Sequence, residues 1–294
     1  MYEIIDGKQL SKTIKSEIAD EVRAITAKGQ RKPHLAAVIV GDDPASKVYV
    51  RNKIKSCEEV GFDSSHIEKS AAITTADLLE IVDKLNKNPA IDGYIVQLPL
   101  PKHIDEEKIL LSIDPRKDVD GFHPCNFGRM TQNLPAYLPA TPFGIMQMLE
   151  RYHIETTGKN IVILGRSNIV GRPMSILLSR KGKSGNGTVT VCHSRTKDLK
   201  SFTTKADIIV AAIGIPNFLK GDMVKDGVVI IDVGINRVDD ATRKRGYRLV
   251  GDVEFDSVAP KSSYITPVPG GVGPMTVTSL IINTLKSYKS EIYQ

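Results

Sequence analysis

Six short apolar runs constrain this chain more than any other feature. Residues 34–40 end at Gly41-Asp42-Asp43-Pro44, residues 93–97 run toward Pro99, and residues 160–164 end at Gly165. Residues 188–192 lead into His193-Ser194-Arg195-Thr196, residues 207–213 into Gly214, and residues 227–233 into Gly234. Runs this short and this continuously apolar read as strands covered on both faces, the condition of a parallel sheet. Helical patterns separate them. Val50, Ile54, Cys57 and Val60 recur at helical spacing before Gly61, where a C-terminal cap is expected. Further expectations are a strand near Ile67, a helix over residues 75–86 and a helix running from Pro142 to Tyr152. Strands alternating with helices give an α/β fold with a parallel sheet.

A length of 294 residues leaves room for two domains, and a second one begins near Thr141-Pro142. The longest apolar run, residues 208–213, falls far short of the ~20 residues that span a bilayer, so no membrane partner is expected. The start, Met1-Tyr2-Glu3-Ile4-Ile5, lacks the basic-then-apolar pattern of a leader. Cys57, Cys125 and Cys192 are widely spaced, as in reduced thiols of a cytoplasmic protein, and show no metal-ligand rhythm; no metal is expected. A net charge of +6 suits an anionic ligand. No basic cluster is interleaved with aromatics and the chain has no Trp, which argues against nucleic acid.

Several polar groups stand where ligands bind, beyond the C-terminal ends of the strands. Tyr49 and Lys53 lie one turn apart on a helix, flanking its apolar stripe, an aromatic plate beside an amine. Alone, the pair is equally a solvated helix face. Gln97 closes a strand before Leu98-Pro99-Leu100-Pro101, which stiffens the backbone. The loop 114–122 packs three acids and two bases; it reads as a solvated turn or as a carboxylate that accepts bonds from a ligand. In residues 159–173 a strand, a glycine turn and a helix follow one another. Gly165 makes the turn and Gly171 lets helix and strand approach, but Ser167 replaces the middle glycine of a dinucleotide fingerprint. The next strand ends in Ser194 and Arg195 rather than the acid that holds a ribose 2′-hydroxyl. With Arg166 these suit a 2′-phosphate, which favours NADP over NAD. Residues 266–276 form a loop with three prolines and three glycines that leads into a closing helix over residues 277–286.

Taken in order from one end of the chain to the other, these stretches resemble the bifunctional methylenetetrahydrofolate dehydrogenase/methenyltetrahydrofolate cyclohydrolase family, the bacterial FolD type. The stretches are residues 46–53, Val96 to Pro101, Lys117-Asp118-Val119-Asp120-Gly121, Gly165-Arg166-Ser167 with Val170 to Pro173, and His193 to Thr196. Asp232 to Asn236, Gly251-Asp252-Val253 and Pro269 to Thr276 complete the set. The resemblance implies an α/β substrate domain, residues 1–140 plus 276–294, and a Rossmann-type NADP-binding domain, residues 141–275, with a cleft between them. It implies oxidation of 5,10-methylenetetrahydrofolate with NADP⁺ and hydrolysis of the methenyl product to 10-formyltetrahydrofolate, a step of one-carbon metabolism. Lys53 then handles the proton of the hydrolysis. An amine that accepts a proton near neutral pH must spend time uncharged, through desolvation or a nearby cation.

The resemblance also makes Gln97 the group that orients Lys53, Tyr49 the ring that stacks on the folate, and Asp120 the carboxylate that pairs with the pterin edge. Ser46 supports the helix or touches substrate, and Pro269, Gly270 and Gly271 lie at the substrate. Gly165, Arg166, Ser167, Ser194 and Arg195 become cofactor contacts, and Ile235, Gly273 and Thr276 line the nicotinamide end. The family further implies tetrahydrofolate substrates, polyglutamated or not, and a homodimer. The competing readings are a monofunctional member, a shikimate-type NADP-dependent dehydrogenase, and a non-catalytic binding protein, the last disfavoured by the presence of Lys53.

Overall fold

Alternation of apolar strands with amphipathic helices carries through the computed structural model, which describes residues 2–243 and 246–293. Met1 and Gln294, the outer ends of the two-part domain assignment, lie outside the described residues. The chain starts with β1 (Glu3–Ile4) and α1 (Gly7–Ala27). Then come β2 (His34–Val40), α2 (Pro44–Val60), β3 (Asp63–Lys69), α3 (Thr75–Lys87), β4 (Gly93–Val96), α4 (Glu106–Leu111) and α5 (Pro124–Thr131). The second half runs α6 (Ala140–Arg151), β5 (Asn160–Leu164), α7 (Gly171–Ser179), β6 (Thr188–Cys192), α8 (Leu199–Thr203), β7 (Ile208–Ala211) and β8 (Val228–Asp232). It closes with β9 (Asn236–Asp239), β10 (Tyr247–Val250), α9 (Phe255–Val258), β11 (Ser262–Ile265) and α10 (Val272–Tyr288).

Two compact units result. One comprises Lys12–Ala140 and Val277–Gln294, the other Thr141–Thr276 together with the chain's start through Ser11. The first holds a three-stranded parallel sheet of order β3-β2-β4. On one face Ala36, Val38 and Val40 pack with Tyr94 and Val96 against Leu78, Val82 and Leu85 of α3 and Ile109 of α4. On the other, Leu35, Ala37 and Ile39 are equally buried, and α2 packs along β2 and β3. Both faces are covered, which is why β2 reads as an unbroken apolar run.

The second unit holds a six-stranded parallel sheet of order β1-β11-β8-β7-β5-β6, with β9 and β10 as a separate antiparallel hairpin. Its core on one face joins Val162, Leu164, Ile209, Ala211, Val228 and Ile230. Residues 1–11 were expected with the first domain. Instead β1 pairs with β11, Glu3 opposite Tyr264 and Ile4 opposite Ile265, as the outermost strand of the second sheet. The physical reason is local: the two residues of β1 satisfy a free sheet edge, and Ile5 N continues the ladder to Ile265 O at 2.9 Å. The closing helix also begins earlier than expected, at Val272, because Pro274 falls within its first turn, where no backbone N–H is missed.

Candidate active site

In the first unit the chain leaves β2 for β3 on one side and returns through β4 on the other, which makes the C-terminal ends of β2 and β4 a topological switch point. The helix α2 starts there. Asp43 caps it, accepting from Ser46 N at 2.7 Å, Pro44 fits its first turn, and Gly61 ends it at φ 80°. Ser46, Val50, Lys53, Cys57 and Val60 are buried along it at spacings of three and four, and Ser56 is buried beside them. Lys53 therefore belongs to the buried face and is not at its edge: it is only 9% exposed, whereas Tyr49 is 48% exposed. Ser46 is buried in the first turn, where its backbone serves the cap.

A buried ammonium needs a partner. Lys53 Nζ donates to Gln97 Oε1 at 3.2 Å. Gln97 is itself pinned, its Nε2 donating to Leu98 O at 2.7 Å and its backbone N to Val38 O at 2.9 Å. The amide thus presents its oxygen to the lysine and cannot turn its nitrogen there without losing its own bond. Among the described residues this is the one hydrogen bond Lys53 Nζ makes, so two of its three donors remain for a ligand or water.

Asp120 sits in the same unit, half-buried, and bonds to neither Lys53 nor Gln97; its carboxylate makes no hydrogen bond among the described residues. A second acid of that loop, Asp118, is 3% exposed and accepts from His123 N at 2.8 Å, Asn126 Nδ2 at 2.9 Å and Phe122 N at 3.3 Å. Burial pushes the Asp118 carboxyl up to about 7 despite those bonds.

In the second unit Gly165 closes β5 at a switch point between β5 and β7, while Ser194 and Arg195 follow β6 on the far side of β5. Gly165 has φ 112°, and an added Cβ would collide with the Ala212 carbonyl oxygen after β7. A Cβ on Gly171 would strike Gly165 O, so strand and helix meet as the pattern predicts. Ser167 Oγ accepts from Val170 N at 3.2 Å, which begins α7 and leaves the hydroxyl proton free to donate. Arg166, Ser167, Ser194 and Arg195 are all exposed, and neither guanidinium has an ion-pair partner among the described residues. Ile235 is 50% exposed. Gly273 stands 3.5 Å from Ile235 Cδ1, measured from an ideal Cβ. Thr276 bonds Thr141 through their hydroxyls at 2.9 Å. Gly273 and Thr276 thus lie in α10 and not in a loop. Pro269, Gly270 and Gly271 belong to this second unit as well; Gly270 O accepts from Lys8 N at 2.9 Å, and a Cβ on Gly7 would collide with Gly271 O.

Two buried acids here, within stretches that carry the family resemblance, have a role that their sequence alone does not give. Asp252 is fully buried, and its Oδ2 accepts from Ile213 N at 2.7 Å and Gly214 N at 2.9 Å. Asp232 accepts from Gly234 N, Asp252 N and Val253 N, and burial raises it to about 7. Together they shape the loops beyond β7 and β8. Their signal was an acid beside a glycine at each apolar run's end, Asp232-Val233-Gly234 and Gly251-Asp252. Among the described residues no cluster of His, Cys, Asp and Glu is arranged to hold a metal ion.

Two family profiles cover most of the chain in turn. The catalytic-domain profile of tetrahydrofolate dehydrogenase/cyclohydrolase matches residues 5–120, and the NAD(P)-binding-domain profile matches residues 139–292. The chain belongs to the tetrahydrofolate dehydrogenase/cyclohydrolase family. It is 60% identical to the bifunctional protein FolD of Flavobacterium johnsoniae over 98% of this chain and 97% of that one. A crystal structure of the family's bifunctional enzyme from Campylobacter jejuni is 48% identical and superposes with a TM-score of 0.93, covering 99% of this chain and 100% of that one. The Trypanosoma brucei dehydrogenase-cyclohydrolase, solved with NADP cofactor and inhibitor, is 39% identical with a TM-score of 0.92, covering 100% of this chain and 99% of that one. The NAD(P)-binding domain and the NADP-bound relative make NADP the cofactor, and two exposed guanidiniums, Arg166 and Arg195, are chemically suited to its phosphates.

Proposed function

We propose that this chain is a bifunctional enzyme of one-carbon folate metabolism. It oxidises 5,10-methylenetetrahydrofolate to the methenyl compound with NADP⁺, then hydrolyses that to 10-formyltetrahydrofolate. The observation that carries the reading is the buried Lys53 held on Gln97 at a strand-end switch point. When bound, NADP⁺ supplies the hydride acceptor. Arg166 and Arg195 hold the 2′-phosphate, with Ser167 and Ser194 donating to phosphate oxygens. The Gly165 turn lets the pyrophosphate approach the backbone, and Ile235, Gly273 and Thr276 line the nicotinamide end. Pro269, Gly270 and Gly271 abut the folate.

Hydrolysis is a matter of protons. Water adds to the methenyl carbon, the bond from that carbon to N5 breaks, N5 is protonated, and one proton leaves overall. Lys53 Nζ takes the water's proton and returns one to N5, while Gln97 keeps the amine aimed. Tyr49 stacks on the folate, its half-exposed ring open to a flat ligand. The Asp120 carboxylate, free of protein partners among the described residues, accepts two donors of the pterin edge. Ser46 keeps the helix start in place.

The same reading places the protein in the cytoplasm, as the free thiols of Cys57, Cys125 and Cys192 support, and no helix among the described residues is long and apolar enough to cross a membrane. It includes polyglutamated folates among the substrates, which the net charge of +6 favours, and a homodimer. Lys53→Met tests the central role. The expected result is loss of methenyl hydrolysis by about 10²–10⁴-fold, the usual worth of a positioned proton-transfer group, with folate binding retained. Unchanged hydrolysis would remove Lys53 from the mechanism.

A further inference from the structure

Asp120 is built to be aimed. Asp114 is paired with Arg116, Asp118 is fully bonded, and Asp120 alone of the loop's acids keeps a carboxylate without a protein bond among the described residues. The backbone on both sides of it is tied down. Val119 O accepts from Asn283 Nδ2 of α10 at 2.8 Å. Gly121 has φ 76°, and an ideal Cβ there would lie 2.6 Å from the Leu138 carbonyl carbon, so only glycine fits. Asp118 spans the loop, receiving the backbone N–H groups of Phe122 and His123 beyond Asp120.

Asp118 in turn depends on Asn126, which is fully buried and four times bonded. Its amide nitrogen donates to Asp118 Oδ2 and to Pro115 O, both at 2.9 Å, and so holds the loop at two points. Its amide oxygen accepts from Tyr137 N at 3.4 Å and from the hydroxyl of Tyr293 at 2.8 Å. The Tyr137 N–H, which only donates, and the Pro115 carbonyl, which only accepts, fix which way the amide faces, and the Tyr293 hydroxyl adds the bond that holds its oxygen there. A flipped amide would set an oxygen against the Asp118 carboxylate.

We infer that Tyr293 and Asn126, acting through Asp118, are positioning residues for Asp120, so that the last residues of the chain set the affinity for the folate ring. The inference rests on Asp120 being the pterin contact proposed above. It deepens that reading by assigning specificity-bearing work to a terminal segment remote in sequence.

The test is a set of KM and kcat measurements on Tyr293→Phe, Asp120→Ala and the double variant. Tyr293→Phe keeps the ring against Tyr137 and under Arg129 and removes one hydroxyl, so the fold is retained. It should raise the KM for methylenetetrahydrofolate about three- to tenfold, the scale of one hydrogen bond, with kcat and the KM for NADP⁺ unchanged. Asp120→Ala should raise the folate KM further. In the Asp120→Ala background Tyr293→Phe should then do nothing, because the group it aims is gone. An unchanged folate KM in Tyr293→Phe, or a fall in kcat alone, would overturn the inference, since a purely structural bond changes the active fraction and not KM. So would an equal effect with and without Asp120. If Asp120→Ala itself leaves the folate KM unchanged, the pterin assignment fails and the network has nothing to aim.

Discussion

Buried carboxyls decide much of this molecule at the residue scale. Asp118 and Asp232 have their carboxyls raised to about 7 by burial, although each accepts three hydrogen bonds. In the unfolded chain an aspartate titrates near ~3.9. Both groups therefore hold a proton more tightly when folded, so their contribution to stability is full below about pH 4 and is lost as pH rises through 7. Asp232→Asn removes one titration. The free energy of unfolding measured by denaturant at pH 5 and pH 8 should fall less across that interval in the variant, by on the order of 2 kcal/mol. An identical pH dependence in both proteins would show that Asp232 stays charged throughout. The acid is retained because its oxygens collect the N–H groups of Gly234, Asp252 and Val253, which no apolar side chain could satisfy.

Elements place the chemistry by what they leave room for. Gly165 is left-handed and jammed against Ala212, so Gly165→Ala adds strain of about 1–3 kcal/mol and displaces the turn on which the pyrophosphate rests. Its KM for NADP⁺ should rise more than tenfold with the folate KM unchanged. Gly158→Ala is the control: φ is 71° but nothing lies within 4 Å, so melting temperature should drop slightly and both KM values hold. Equal effects of the two changes on NADP⁺ would disconnect Gly165 from the cofactor. Elements with strong period were legible in sequence. The helical spacing of Val50, Ile54, Cys57 and Val60 became α2, Pro44–Val60, and the helix expected over residues 75–86 became α3, Thr75–Lys87. The start of α10 was hidden by Pro274 and the glycines, and β1 is two residues long, too short to show any period. Nor did the stretch after Asn236 look like a hairpin, since β9 and β10 alternate weakly and expose Arg237 and Arg248.

At the scale of the whole molecule, two α/β units each put candidate groups at a strand-end switch point, Lys53 with Gln97 in one and the Gly165 turn in the other. Residue types at strand ends revealed that much. What sequence could not show was pairing at long range: the N-terminal strand joining the second sheet, and Tyr293 reaching Asn126. Each depends on three-dimensional neighbours that carry no local pattern. That one chain carries both folate reactions and takes the phosphorylated dinucleotide is open to measurement. The most direct test is an absorbance assay of the purified protein with 5,10-methylenetetrahydrofolate and either NADP⁺ or NAD⁺, followed through reduced dinucleotide, methenyl compound and 10-formyl product. The expected result is reduction with NADP⁺ well ahead of NAD⁺, followed by conversion of the methenyl compound to 10-formyltetrahydrofolate. Reduction without that second conversion, or equal use of NAD⁺, would contradict the account.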